Sequence, residues 1–324
     1  MGLRVALIGC GAAARRLHLP ALRAAGADVT SFSSGTRASA EAAAAEWGSG
    51  IVCEDWEAAI AAGGFDAVDI CTPNHLHAEI AIAAARAGAH VLVEKPIAPS
   101  LTEADAMIDA AAEAGVVLMV AHSARFAPPV RAIIDAVRAG RIGAARSARV
   151  VLRNEGPEAW SPGSSWFTDP ARSGGGALLD LGVHVADLLR TLLQRDAVEV
   201  TAMCRPDAPA EIDAHAIIRF EDDVVAAMHV GWDARGGPDV AVDVTGERGA
   251  IRFDGARAPL LRTAAGETEL ASAPPDDVVA AFARAAAGHE PAAVPGEDGR
   301  AALAVVAAAY GAAASGTTAK VERR

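Results

Sequence analysis

The chain has 324 residues, of which 52% are hydrophobic and 22% charged, enough apolar material for two cores and too much for a disordered protein. A net charge of −12 leaves no surplus of Lys and Arg to neutralise nucleic-acid phosphates, and no apolar run is long enough to span a bilayer. The expected partners are small molecules, with neither a nucleic acid nor a membrane among them.

At the amino terminus, Arg4 followed by "VALIGCGAAA" has the charge-then-apolar order of a signal peptide. Gly9 and Gly11 break that run and Arg15 and Arg16 follow it, which suits a strand and a turn instead. Cys10, Cys53, Cys71 and Cys204 are widely spaced and form no Cys-x-x-Cys pair, so a reduced, cytoplasmic protein is expected.

Through the first third of the chain, "LRVALI", "ADVTSF", "DAVDIC", "AHVLVE" and "GVVLMV" are β-branched and apolar, and the segments between them carry helix formers. That alternation predicts βαβ units and a parallel sheet, buried on both faces because the runs are continuous rather than alternating. A dinucleotide-binding domain is expected over residues 1–121.

The first strand ends in Gly9-x-Gly11-x-x-Ala14. Gly9 permits the tight turn, Gly11 lets backbone approach a pyrophosphate, and Ala14 keeps helix and strand close. The N–H groups of the helix start, at Ala12, Ala13 and Ala14, supply partial positive charge for the phosphates. Such a fingerprint usually has an acidic residue after the second strand, to bind the ribose 2′-hydroxyl. Here Ser33, Ser34, Thr36 and Arg37 stand there, groups suited to a 2′-phosphate. NADP is therefore favoured over NAD.

Ligands of open α/β sheets bind beyond the carboxyl ends of the strands. Thr72, Pro73 and Asn74 follow one strand and Glu94, Lys95 and Pro96 another, so they should gather at the nicotinamide end. A lysine between low-dielectric walls is suited to proton transfer, although a snorkelling surface cation is the ordinary alternative. His75, His77 and His90 lack convincing ligand spacing, and no metal is expected.

A helix is predicted over Pro129–Ala139. Beyond it, "ARSARVVLRN", "AVEVTAMCR", "HAIIRFEDD", "VVAAMHVGW", "DVAVDVTGE" and "GAIRFDG" read as strands joined by short polar turns, an antiparallel meander forming an α+β domain over 122–324. One long helix, "GALLDLGVHVADLLRTLL", interrupts them and carries Asp180, His184 and Asp187 at helical spacing. The Asp180 carboxylate can then reach the His184 ring and hold its tautomer. The terminal "DGRAALAVVAAAYGAAAS" is helical and can pack on either domain.

Taken in order, G-x-G-x-x-A, "TPNHLHAE", "EKP", Arg125–Phe126, "SWFTDPARSGGG" and "DLGVHVADLL" resemble the Gfo/Idh/MocA family of nicotinamide-dependent oxidoreductases, over essentially the whole chain. The resemblance implies an N-terminal Rossmann domain and a C-terminal α+β domain whose large open, mostly antiparallel sheet serves homo-oligomer contacts, as a dimer or tetramer. It implies a catalytic and substrate-binding group of Lys95, Asp180 and His184, with Trp166 and Arg125 near cofactor or substrate and His77 among the cofactor contacts. His122 stands where family members carry Asn, and Phe167 where some sugar-active members carry Arg, so the substrate stays open among sugars, other polyols and cyclitols. Two other activities remain: an NAD-dependent glycosidase working by transient oxidation and elimination, and a non-catalytic cofactor sensor.

Overall fold

In the computed structural model, which describes residues 2–205 and 210–324, the chain divides into two units. One comprises Met1–His122 with Asp277–Arg300, the other Ser123–Asp276 with Ala301–Arg324.

The apolar runs of the first unit become β1 (Arg4–Ile8), β2 (Asp28–Ser33), β4 (Ala67–Ile70), β5 (His90–Val93) and β6 (Leu118–Val120), joined by a two-residue edge strand, β3 (Ile51–Val52), that the sequence did not signal. All pair in parallel in the order β3-β2-β1-β4-β5-β6. Every residue of β4 is buried, including a carboxylate, Asp69. The crossovers are α1 (Leu19–Ala24), α2 (Arg37–Trp47), α3 (Trp56–Ala62), α4 (His77–Arg86) and α5 (Leu101–Ala114). Thr36, Asp55 and Ser100 cap α2, α3 and α5 by accepting the N–H of Ser39, Ala58 and Glu103, which satisfies donors that a helix start leaves open.

Residues far along the chain complete this unit. The Val120 N–H donates to the Val294 carbonyl at 2.9 Å, and the buried Arg300 guanidinium pairs with Asp105 on α5 at 3.2 Å.

In the second unit, α6 (Pro128–Arg138) is followed by β7 (Ala145–Arg153). After β7 come the short helices α7 (Pro157–Trp160) and α8 (Pro170–Ser173), then α9 (Ala177–Asp180) and α10 (Gly182–Leu193). The strands β8 (Ala197–Arg205), β9 (Asp213–Phe220), β10 (Val225–Gly231), β11 (Asp239–Gly246), β12 (Gly249–Phe253), β13 (Leu260–Thr263), β14 (Gly266–Glu269) and β15 (Ala319–Lys320) complete a nine-stranded sheet with β7. Its order is β14-β13-β12-β11-β7-β10-β9-β8-β15. The meander expectation describes β8 to β10 and β11 to β14, but at the centre β7 and β10 run parallel, making the sheet mixed. Burial alternates as half-covered strands require: Ala214, Ala216, Ile218 and Phe220 point inward along β9, and Ile217 points out.

Two helices return at the end of the chain. The first, α11 (Val278–Ala286), is capped by Asp277 and belongs to the first unit. The last helix, α12 (Gly296–Ser315), covers the predicted terminal helix.

The predicted helix at residues 176–193 is in fact two pieces joined at Leu181. Glu211 Oε1 accepts the N–H groups of Gly176 and Leu178 at 3.0 and 2.9 Å and the Tyr310 hydroxyl at 2.8 Å. This carboxylate anchors the start of α9 from outside the helix. A Cβ on Gly176 would lie 2.1 Å from the Glu211 carbonyl oxygen, so only glycine fits there. Among the described residues, no helix is long and apolar enough to cross a membrane.

Arg125 and Asp187 form a buried, two-pronged ion pair, Nε to Oδ2 at 2.6 Å and Nη2 to Oδ1 at 2.5 Å. Removing the counter-charge from a buried guanidinium is costly, so Asp187→Ala should lose about 3–5 kcal/mol of stability. Urea denaturation checks this; a loss below about 1 kcal/mol would mean that the pair behaves like an exposed one.

Candidate active site

In the first unit, the ends of β1, β2, β4 and β5 lie at one edge because the sheet is parallel. Gly9, at φ +93°, accepts no side chain: a Cβ there would meet the Cys71 carbonyl group at 2.4 Å. Its N–H donates to the Ser33 carbonyl at 2.8 Å, tying the β1 turn to β2. Gly11 is exposed, and a Cβ on it would meet nothing within 4 Å, so the turn is open on the side a phosphate would approach. The helical run that starts at Ala12 and Ala13 contains a π-helical turn, Ala14–His18.

Beyond β2 there is no carboxylate before Glu41. Ser33 is buried, and Ser34 Oγ accepts the Cys10 N–H at 3.2 Å. Thr36 caps α2, while the exposed Arg37 pairs with Glu41 one turn on, at 2.8 Å.

Past β4, Thr72, Pro73 and Asn74 lead into α4, and Asn74 is buried. The buried Thr72 hydroxyl has no hydrogen-bond partner among the described residues. His77 straps this loop to the next, its ring nitrogens lying 2.8 Å from the Pro96 carbonyl oxygen and 3.0 Å from that of Thr72. Burial lowers the His77 pKa, so the ring is neutral and its tautomer decides which carbonyl receives the N–H. Of the other histidines weighed as metal ligands, His90 uses Nδ1 to accept the Val117 N–H. Past β5, Glu94 and Lys95 are half-buried, and the Lys95–Pro96 bond is cis.

Sequence reasoning missed the residue that joins these loops. His18, in the π-helical turn, is buried between two carboxylates, Nδ1 to Asp69 at 2.9 Å and Nε2 to Glu94 at 2.9 Å. The Cys71 thiol donates to Asp69 at 3.7 Å, and its pKa is pushed up by burial, so it stays a thiol. Burial alone would lower the His18 pKa, but the Asp69 carboxylate outweighs it and raises the pKa well above 6.5.

In the second unit, Asp180 ends α9, and Asp180 Oδ2 accepts the indole N–H of Trp232 at 3.0 Å, a partner the helical spacing did not indicate. His184 lies in the first turn of α10, and both side chains are nearly buried. Asp187, one turn beyond His184 on α10, is engaged by Arg125. Trp166 packs against Phe167, ring centres 3.7 Å apart, and Trp160 meets the same ring edge-on at 4.4 Å.

Residues 3–122 match the profile of the oxidoreductase family with an NAD-binding Rossmann fold, and residues 130–252 match the Gfo/Idh/MocA C-terminal domain. The chain is 36% identical to 1,5-anhydro-D-fructose reductase of Ensifer adhaerens across 98% of both proteins. It is 33% identical to levoglucosan dehydrogenase of Pseudarthrobacter phenanthrenivorans over 65% of this chain and 60% of that one. A solved levoglucosan dehydrogenase in complex with NADH and levoglucosan superposes with a TM-score of 0.89 at 26% identity, covering all of both chains.

The raised His18 pKa fixes the sign of one pH effect. A group that binds its proton more tightly when folded stabilises the fold fully below its unfolded pKa, near 6.5, and loses that contribution as pH rises through the folded value. Unfolding free energy should therefore fall in the alkaline range, and less steeply in His18→Gln than in the parent. Identical pH dependence of urea midpoints in the two proteins would count against a charged His18.

Proposed function

Since the chain belongs to the Gfo/Idh/MocA family of oxidoreductases, we propose that it interconverts a secondary alcohol of a sugar, sugar derivative or cyclitol with the corresponding ketone, using NADP in preference to NAD. The observation that carries the cofactor assignment is the shared edge of the parallel sheet. There the open backbone at Gly11, the N–H groups of the following helix start and the unpartnered Thr72 hydroxyl offer donors to a dinucleotide. The residues present fit such a group. Relatives named for anhydrofructose, levoglucosan and inositol support the substrate class.

When bound, the nicotinamide supplies or accepts the hydride. The alcohol proton must leave or arrive in the same reaction. His184 is the proposed proton carrier and Asp180, held by Trp232, its orienting partner. Lys95 would donate a hydrogen bond to the substrate oxygen and stabilise alkoxide character as it develops. The roles of Lys95 and His184 are exchangeable on these grounds. Cofactor preference follows from charge: past β2, Arg37 meets a 2′-phosphate where an acidic residue would repel it, and its exposed pair with Glu41 is cheap to rearrange.

The outer face of the nine-stranded sheet supports the proposal of a homo-oligomer. Met203, Ile217 and Val225 are exposed along it on β8, β9 and β10, with the ion pair Arg219–Glu199 on β9 and β8 and Arg149–Asp243 on β7 and β11.

Lys95→Ala and His184→Ala should each lower turnover of a polyol or ketosugar by about 10²- to 10⁴-fold while NADPH affinity stays near the parent's. Steady-state rates and NADPH fluorescence titration test this, and near-parental turnover in both variants would remove the catalytic assignment. Arg37→Ala should weaken NADPH about tenfold, roughly 1.4 kcal/mol, and leave NADH little changed; equal losses for both cofactors would rule out 2′-phosphate recognition by Arg37.

A further inference from the structure

His18 belongs to no motif that the proposed reaction uses, yet it sits at the end of the sheet where that reaction's lysine emerges. Its Nδ1 lies 3.0 and 2.9 Å from the two oxygens of Asp69, and its Nε2 lies 2.9 Å from Glu94 Oε1. A neutral imidazole has one N–H, so one of its nitrogens would point a lone pair at a carboxylate oxygen in a place closed to water. Two ring protons satisfy both contacts, and a single positive charge then stands between two negative ones.

The other oxygen of Glu94 is engaged as well: Oε2 accepts the backbone N–H of Lys95 at 3.1 Å. The Glu94 carboxylate thus bridges the ring and the lysine's own amide. Its rotamer cannot change without releasing one of these contacts. At its other end, the ring is carried by the helix that begins in the Gly9–Gly11 turn.

We infer that His18 is a positioning residue, a buried imidazolium that holds Glu94 and, through it, the peptide from which the Lys95 side chain springs. The inference rests on the reading of Lys95 as a group that meets substrate. The groups facing the ring are Asp69 and Cys71 at the exit of β4 and Glu94 at the exit of β5. Without its charge, the Asp69 and Glu94 carboxylates confront each other across the space the ring occupied. Glu94 is the more exposed of the two, and its displacement outward would carry the Lys95 amide with it. Misplacement by about 1 Å of a group that must meet a reacting atom costs about 10²-fold in rate.

Three measurements test this. Nitrogen-15 spectra of histidine-labelled protein should show both His18 ring nitrogens protonated well into the alkaline range. His18→Gln, which can donate from only one atom, and Glu94→Gln, which leaves one acceptor oxygen where the ring and the Lys95 N–H each use one, should each lower kcat by about 10²-fold. NADPH affinity and substrate KM should stay within about threefold of the parent's, a split that general destabilisation would not give. Lys95→Ala is measured alongside.

A His18 ring that is singly protonated near neutral pH overturns the inference. So does parental kcat in both Gln variants when Lys95→Ala is inactive, and the lysine's role then stands. Parallel losses of kcat, cofactor affinity and thermal stability would show a role in folding only, against positioning. If His18→Gln does not fold, Glu94→Gln decides, because it leaves the ring in place. Normal turnover by Lys95→Ala would sink the reading of the lysine, and the inference with it.

Discussion

A carboxylate inside a parallel sheet cannot remain charged without a cation at contact distance, and much of the first unit's functional edge is arranged around that requirement. Asp69 lies in β4 with no exposure, and His18 supplies the charge. The ring is carried at the end of a π-helical turn in the helix after the glycine turn, a feature that costs hydrogen-bond regularity and tends to occur at functional positions. The same ring reaches Glu94 and so connects the exits of β1, β4 and β5. Gly9 adds a steric counterpart, since its backbone presses on the Cys71–Thr72 peptide where no Cβ could stand. Charge joins all three of these loops and close approach two of them, the loops from which a dinucleotide would be held.

The second unit uses the same device with different residues. Asp187 is neutralised by Arg125, Asp180 is held by the Trp232 indole, and Glu211 gathers the start of α9 together with Tyr310. Each acid has a named partner on another element, so the positions of α9 and α10 are set by polar contacts as well as by the apolar face that α10 turns to the sheet. A histidine carried on such a helix has little freedom to drift, which would suit the proton-carrying role proposed for His184.

Much of this could be read from the sequence, because parallel strands buried on both faces are continuous apolar runs and the glycine spacing carries its own steric logic. β1, β2, β4, β5 and β6 each lie within, or one residue beyond, a run picked out by composition alone. What escaped has physical causes. The β3 pair is too short to leave a pattern. The parallel contact of β7 with β10 is a choice among pairings that periodicity cannot distinguish. The break at Leu181 leaves no mark in helical spacing, and Glu211, which anchors the start of α9, lies thirty-odd residues away on another segment, beyond any local window. His18 did leave a trace: "DAVDIC" places an acid within an otherwise apolar run, and a buried acid implies a cation elsewhere.

The arrangement after β2 also narrows which residue can discriminate between cofactors. Ser33 is buried, the Ser34 oxygen already accepts the Cys10 N–H, and the Thr36 oxygen caps α2. Each hydroxyl can still donate its hydrogen, but none carries charge. A 2′-phosphate brings close to two negative charges, and hydroxyl donors alone do not separate it strongly from a ribose hydroxyl, which they can bond equally well. A preference for the 2′-phosphate would then have to come from the guanidinium of Arg37, which is exposed and pairs with a neighbour one turn away. Selectivity built this way depends on one side chain at the rim, whereas the site's hold on the rest of a dinucleotide depends on backbone that the buried network keeps in place. The two properties can therefore change independently.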